Sequence, residues 1–348
     1  MKTLLNIQGL RGIAVLLVVL THILPSERKY SISETILPYW LDIGASGVDL
    51  FFVISGFVMV FITNQSFQST SFINRFIFRR FARIYPLYWF YSFIVLIVWI
   101  NFPHMVNNSQ NNQANILESF LLLPQNINPL LMVGWTLIYE IYFYIIFALL
   151  MFLPRKNLFE YLLIWIFLIF LASFFTGYSN SYYEYYLGPM VVEFILGCIL
   201  GILFLDGKKL GNPITIGIIG IISWFIGHLL LYPEGRGWER VIIYGIPALM
   251  ITYSAISLEK DGNLLPLWLR KIGDASYSIY LSHVLVLALI GRIWKEYSVS
   301  GYIDNFFIIL IMLISCIFFG TLSYKYLEIP LISIVNSIKF PNNRKKIN

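Results

Sequence analysis

The sequence predicts an all-α fold, a polytopic integral membrane bundle of about ten transmembrane helices. Of its 348 residues, 58% are hydrophobic and only 12% are charged, a balance too apolar for a water-soluble domain of this size. The apolar residues fall in runs of about 20, the length that an α-helix needs to cross a hydrocarbon core. Because backbone in lipid must satisfy its own hydrogen bonds, these runs predict helices.

The apolar runs place ten predicted spans along the chain. They cover residues 9–25, 45–63, 85–102, 130–153, 158–175, 185–205, 213–231, 239–258, 276–296 and 304–327. The first run follows Lys2 and Arg11 and so resembles a secretory signal, but no small residues mark a cleavage site after it. We therefore expect it to remain as the first span. Cys198 and Cys316 lie within apolar runs, which argues against an exposed disulfide.

The basic residues indicate which way the chain faces, because short cytoplasmic loops carry an excess of Lys and Arg. With both termini in the cytoplasm, 18 of the 24 Lys and Arg residues fall on the cytoplasmic side. An odd number of spans would spoil this alternation. The sequence thus predicts a single transmembrane domain over residues 1–335 and a basic cytoplasmic tail over residues 336–348.

Arg11 and His22 share one face of the first predicted helix. Eleven residues separate them, which is about 20° around the helix and about 16 Å along it. Arg11 is then placed to hold an anionic cofactor at the inner end, and His22 to take a proton from a hydroxyl near the outer end. The alternative is that both side chains simply reach the headgroups at their own end of the span.

Two acidic residues accompany this pair at membrane depth, where an ionisable group is costly unless it is paired or faces a water-filled cavity. Glu140 lies among tyrosines in the fourth span, and we expect an imidazole or arginine of another helix as its partner; a buried hydrogen bond that only orders the bundle is the alternative. Asp49 enters the second span at about the depth of His22, where it would orient that imidazole. An equally good interpretation makes Asp49 a helix cap.

Further candidates are expected to line a cavity. Glu193 and His283 fall near the middle of their spans, and Tyr139 and Tyr280 lie beside Glu140 and His283. A structural histidine is an equally good interpretation of His283. No two His, Cys or acidic residues within the spans stand at i, i+3 or i+4, so we expect no metal.

A basic segment precedes the third span. Arg75, Arg79 and Arg83 recur every four residues, so a helix here would carry them as one stripe along the inner leaflet. Contact with anionic lipid is one interpretation. The sharper one is that guanidinium groups bind the phosphates of a nucleotide-containing donor such as coenzyme A.

Six motifs in order resemble the membrane acyltransferase 3 family, which includes bacterial O-acetyltransferases of O-antigen, exopolysaccharide and peptidoglycan. The resemblance covers about Leu5 to Pro330. The motifs are Arg11-x10-His22, the run from Gly47 to Phe57, Arg79-Arg80-x2-Arg83-Ile84-Tyr85-Pro86, Trp135-Thr136-Leu137-x2-Glu140-x2-Phe143-Tyr144, Ser276-Tyr277-Ser278-Ile279-Tyr280-Leu281-x-His283 and Glu328-x-Pro330.

The resemblance implies an O-acetyltransferase of the inner, cytoplasmic membrane. Its donor would be cytoplasmic acetyl-CoA or another acyl-CoA, and its acceptor an extracytoplasmic or lipid-linked glycan such as O-antigen or exopolysaccharide. Carried onto this chain, the resemblance makes Arg11 and His22 the essential pair and Glu140 the matched acidic residue. The matched cytoplasmic arginines are Arg79, Arg80 and Arg83. We expect membrane lipids as further partners and no nucleic acid.

The residues leave two routes for the reaction. His22 would act as general base on the acceptor hydroxyl, with Glu140 or Asp49 setting its tautomer, or would briefly carry the acyl group itself. A multi-pass transporter or flippase of a lipid-linked sugar or small metabolite is the alternative function, because buried carboxylates and histidines also mark ion-coupled carriers. Such carriers usually contain two related halves, and none are visible in this sequence.

Overall fold

The computed structural model describes residues 4–32, 34–107, 110–176, 181–233, 235–297 and 302–339. Its secondary structure in these ranges is helical. In these ranges no strand occurs. Ten helical segments within them are long and apolar enough to cross a membrane. The predicted fold class and the predicted number of spans are therefore confirmed.

The helices are α1 (Leu5–Tyr30), α2 (Gly47–Thr63), α3 (Thr70–Asn101), α4 (Ile116–Leu121), α5 (Trp135–Leu150), α6 (Leu158–Thr176), α7 (Ser181–Leu187), α8 (Met190–Leu205), α9 (Pro213–Leu231), α10 (Trp238–Arg240), α11 (Ile246–Lys260), α12 (Leu267–Asp274), α13 (Ser276–Tyr297), α14 (Tyr302–Ser323) and α15 (Ile329–Lys339). A 3₁₀ segment, Tyr39–Ser46, leads into α2, and 3₁₀ turns Pro103–Met105, Met132–Gly134 and Arg155–Asn157 flank other spans. Two π-helical segments, Val241–Gly245 and Tyr324–Glu328, join α10 to α11 and α14 to α15. Short helices α4 and α12 fall outside the ten spans.

Two spans are longer than the sequence predicts. Helix α3 begins at Thr70, so the basic segment before the third span is the start of the same helix. The last span runs without a break from Ile303 to Ser337 through the π-helical segment. Helix α15 therefore continues past residue 336, where the predicted tail begins, and residues 340–348 of that tail lie outside the described residues.

Helix α1 is held at both ends by acidic side chains. At its start the Glu259 carboxylate accepts hydrogen bonds from the backbone N–H groups of Leu5 and Asn6, at 2.8 and 2.7 Å. A carboxylate there satisfies exposed N–H groups and suits the positive end of the helix dipole. Near the other end, buried Glu27 accepts from the backbone N–H groups of Ile36 and Leu37. These bonds fix the depth of Arg11 and His22.

Helices α2 and α8 pack backbone to backbone. A Cβ on Gly56 would lie 1.9 Å from the carbonyl oxygen of Phe194, and a Cβ on Gly197 would lie 2.0 Å from that of Val53. Only glycine fits at either position, as at other close helix crossings in membranes. This contact covers one face of α2 and leaves the opposite face, with Phe51 and Ser55, turned towards α5 and α13.

Candidate active site

A cavity of about 80 Å³ lies between α1, α2, α3, α5 and α13. Four of the side chains singled out in the sequence line it: Arg11, Arg83, Glu140 and Tyr280. Its other lining residues are Val48, Phe51, Phe52, Ile54, Ser55, Ile84, Thr136, Leu137, Ser276 and Tyr277. Two cations, a carboxylate and several hydroxyl groups thus meet inside an otherwise apolar bundle.

Glu140 is held in this cavity by hydroxyl groups. Its Oε1 accepts a short hydrogen bond from the hydroxyl of Tyr144, one turn later on α5, and a second bond of 3.2 Å from Ser55 on α2. The imidazole or arginine expected as its direct partner is therefore replaced by two hydroxyls. Arg11 and Arg83 act on Glu140 electrostatically rather than through a hydrogen bond.

The arginines of the basic segment before the third span face in two directions, some into the bundle and some outward. Arg83 lines the cavity, whereas Arg75 and Arg79 are exposed. The predicted stripe is not parallel to the helix axis, because four residues turn an α-helix by about 400° and each step therefore drifts by about 40°. By Arg83 the drift has turned the side chain into the bundle.

Arg80 is the second inward arginine. Its guanidinium carbon lies 5.8 Å from the centre of the Phe76 ring and 5.9 Å from that of Tyr144. Its Nε is buried and has no hydrogen-bond partner among the described residues. Tyr144 therefore links Arg80 to Glu140 at the edge of the cavity.

The sequence interpretation missed Glu328. Its carboxylate is 5% exposed, accepts a 2.6 Å hydrogen bond from Ser278, and acts electrostatically on Arg11 and Arg83. Glu328 ends the π-helical segment two residues before Pro330, and such segments often occur at functional sites. The predicted last span stops at residue 327, so this residue was not counted among the buried ionisable groups. The Glu328-x-Pro330 motif was the signal that pointed to it.

His22 is linked to the cavity through neighbouring rings. The Tyr280 hydroxyl is 2.8 Å from that of Thr136 and donates to the carbonyl of Val133 at 3.0 Å. The Tyr280 ring centre is 5.8 Å from that of His283, which in turn is 4.8 Å from that of His22. Tyr280 lines the cavity, whereas His22 and His283 are not among the described residues that line it.

Asp49 and Glu193 lie together on the other face of α2. Both carboxylate oxygens of Asp49 accept from Arg240, from Nε at 2.9 Å and from Nη2 at 2.7 Å. Glu193 on α8 lies close to Asp49 and against Gly245 of a π-helical segment, and neither of its carboxylate oxygens has a hydrogen-bond partner among the described residues. Neither residue lines the cavity or contacts His22 within the part of the chain that the structure describes. The expected orienting role of Asp49 thus has no geometric support, and its partner is an arginine.

We expect Asp49→Asn to destabilise the protein by about 3–5 kcal/mol, because it leaves the buried Arg240 guanidinium without its carboxylate. Thermal unfolding of the protein in detergent measures this. The double variant Asp49→Asn/Arg240→Gln removes both charges and is expected to recover part of the loss. Normal stability together with lost acyl transfer in Asp49→Asn would instead show that Asp49 acts in the reaction.

Tyr139 and His228 belong to other polar clusters. The Tyr139 hydroxyl donates to Glu184 at 3.4 Å, on the side of α5 away from the cavity. His228 pairs with Asp42 at 3.0 Å through Nε2, and its Nδ1 is 2.7 Å from the Tyr244 hydroxyl. Tyr139 therefore does not line the cavity described above. Among the described residues no group of three His, Cys, Asp or Glu side chains is placed to hold a metal ion.

Comparison with known proteins decides the family. An acyltransferase domain model, Acyl_transf_3, matches residues 4–325. The chain belongs to this acyltransferase family. It is thus a multi-pass membrane acyltransferase.

The family includes named relatives. The chain is 29% identical over 299 residues to the exopolysaccharide production protein ExoZ of Rhizobium meliloti, covering 83% of this chain and 90% of ExoZ. It is 26% identical over 364 residues to the O-acetyltransferase OatA of Staphylococcus aureus, covering 94% of this chain and 57% of OatA. A putative O-acetyltransferase of the same species, SACOL0978, is 24% identical and is also covered over 57% of its length. No solved structure matches the chain.

Proposed function

We propose that this acyltransferase is an O-acetyltransferase of the inner, cytoplasmic membrane that acts on a hydroxyl of a cell-surface glycan, extracytoplasmic or lipid-linked. The observation that carries the proposal is the cavity that brings Arg11, Arg83 and Glu140 together and ends one ring away from the His22 and His283 pair. The names of the relatives support the chemistry, since they are an exopolysaccharide production protein and O-acetyltransferases.

The proposed donor is acetyl-CoA, bound from the basic end of the bundle, which the charge distribution predicts to be cytoplasmic. Exposed Arg79 and inward Arg80 lie on successive residues of α3, where guanidinium groups suit phosphate. Arg83 lies one turn further into the bundle, beside the cavity. A volume of about 80 Å³ suits the acyl thioester end alone, so the nucleotide remains outside.

The proposed chemistry places His22 at the acceptor. Its Nδ1 bonds the carbonyl of Val18 at 2.8 Å, and because a carbonyl only accepts, Nδ1 carries the proton and Nε2 is free to act as a base. The same Nε2 is the atom that would carry an acyl group in the two-step route. Glu140 does not contact this ring, and its place is with the two arginines beside the thioester.

The proposal is tested with purified protein in proteoliposomes, radiolabelled acetyl-CoA and surface polysaccharide from the producing strain, stripped of O-acetyl groups by mild base. The expected result is label in the polysaccharide and one new O-acetyl signal in its NMR spectrum. Absence of transfer, with movement of unmodified glycan across the vesicle membrane, would favour a transporter instead.

A further inference from the structure

A second histidine lies beside His22 and has no part in the mechanism above. His283 on α13 is fully buried. Its ring meets that of His22 edge to face, with the planes at 74° and the centres 4.8 Å apart. At this separation, and away from water, a charge on one ring acts strongly on the other.

Hydrogen bonds fix the tautomer of both rings. Nδ1 of His283 bonds the carbonyl of Tyr280 at 2.7 Å, as Nδ1 of His22 bonds that of Val18. A carbonyl oxygen accepts only, so each Nδ1 carries a proton. In its neutral form, which burial away from water favours, each ring therefore offers a lone pair at Nε2.

Nε2 of His283 is a buried acceptor for which the described residues provide no donor. Buried polar atoms are nearly always paired, so an exception calls for an explanation. Proton transfer supplies one: when His22 takes the hydroxyl proton at Nε2, its ring becomes a cation that lies edge to face against the His283 ring. A neutral imidazole with a free lone pair and a π face is a favourable neighbour for that cation.

Other ionisable groups lie on the helices that pack against His22 and His283. Several of these groups form hydrogen bonds or ion pairs with other residues, and the rest lie at other positions along the bundle. Asp42 pairs with His228 and Asp49 with Arg240, and Glu27 accepts backbone N–H groups. Tyr91 donates to Ser323, Tyr88 to a backbone carbonyl, and Trp294 donates to Asp304. The remaining ionisable side chains described on these elements are Arg11, Arg28, Lys29, Tyr30, Tyr39, Arg75, Arg79, Arg80, Arg83, Tyr85, Tyr253, Glu259, Lys260, Arg270, Lys271, Asp274, Tyr277, Tyr280, Arg292, Lys295, Glu296, Tyr297, Cys316, Tyr324, Lys325, Tyr326 and Glu328. Of these, Tyr280 contacts His283 through its ring, and its hydroxyl donates to Val133.

We propose, resting on the function above, that His283 is a positioning residue whose neutral ring stabilises the protonated His22 formed during transfer. The hydroxyl oxygen bonds to the thioester carbonyl carbon while its proton passes to Nε2 of His22. The carbon–sulfur bond then breaks, and the proton moves from His22 to the sulfur to give the free thiol. His283 exchanges no proton in this sequence.

The test compares His283→Phe, which keeps a ring without an acceptor, with His283→Gln, which keeps an acceptor near the position of Nε2. We expect kcat of His283→Phe to fall about 10- to 100-fold, with KM for acetyl-CoA unchanged. The acidic limb of its pH–rate profile is expected to move to lower pH by about one unit, because His22 is then harder to protonate. His283→Gln is expected to restore most of the rate.

Equal loss in the Phe and Gln variants, or an unmoved acidic limb in His283→Phe, would overturn the proposal. A second comparison separates this role from a general effect on folding: in a His22→Ala background, adding His283→Phe is expected to change nothing, and any further loss contradicts action through His22. Titration of ¹⁵N-labelled His22 by NMR without substrate tests the interaction of the two rings independently of acetyl transfer. A wild type that transfers no acetyl group would contradict only the proposed function.

Discussion

Replacing His22 by alanine is expected to lower acetyl transfer about 100- to 10,000-fold, the range that a general base contributes. The reason is the tautomer: His22 is half-buried, and its Nδ1–H donates to the carbonyl of Val18, which leaves the lone pair of Nε2 to act as the base. His22 is also the only candidate acyl carrier in the proposal. The variant therefore blocks both the general-base route and the acyl-carrier route. Transfer of label from acetyl-CoA to polysaccharide in proteoliposomes measures the effect.

The matched control for this variant is His104→Ala, which removes an exposed histidine from a 3₁₀ turn. Its rate is expected to equal that of the wild type. Binding of acetyl-CoA, followed by thermal stabilisation, is expected to persist in His22→Ala because the ring lies outside the cavity. A His22→Ala protein that folds and transfers at the normal rate would remove His22 from the mechanism.

Replacing Arg83 by methionine is expected to lower transfer by about 100-fold or more, because a preorganised charge beside the thioester is lost. The variant is also expected to be less stable, since Glu140 and Glu328 then share Arg11 as their nearby cation, and uncompensated buried charge is costly. Initial rates against acetyl-CoA concentration, together with thermal unfolding, measure both effects.

A second substitution separates these two effects. Adding Glu328→Gln to Arg83→Met removes the unbalanced carboxylate, so stability is expected to recover while activity stays low. Lys156→Gln, an exposed change at the same end of the bundle, serves as the control for loss of positive charge. If the double variant regained full activity, the role of Arg83 would be to balance Glu328 and not to serve the donor.

The number of spans was predictable because it depends on length and polarity alone. Ten apolar runs and alternating basic loops specify ten helices, and the structure changes mainly where they end, most at α3 and the last span. The cost of isolated charge in lipid also predicted that Arg11 and Glu140 face the bundle interior or a partner. Arg83 was expected in a stripe along the inner leaflet, and its place in the same cavity appears only in the structure.

Partners across the bundle were harder to predict because they depend on how helices rotate against one another. Asp49 lies at the depth expected for an orienting carboxylate, yet glycine packing of α2 on α8 turns it towards Arg240. Glu328 enters the site through a π-helical segment that the apolar pattern does not reveal. The unpaired Nε2 of His283 likewise appears only once neighbouring side chains are in place.

The central claim is that acyl groups pass from the end of the bundle with Arg11 and Arg83 to the end with His22. Its most direct test is to establish on which face of the membrane each substrate must be present. Proteoliposomes with one protein orientation are given labelled acetyl-CoA on one face and de-O-acetylated polysaccharide on the other. The account predicts labelled polysaccharide when acetyl-CoA is on the face with the basic end and the glycan is opposite. Transfer only when both substrates share one face would contradict it.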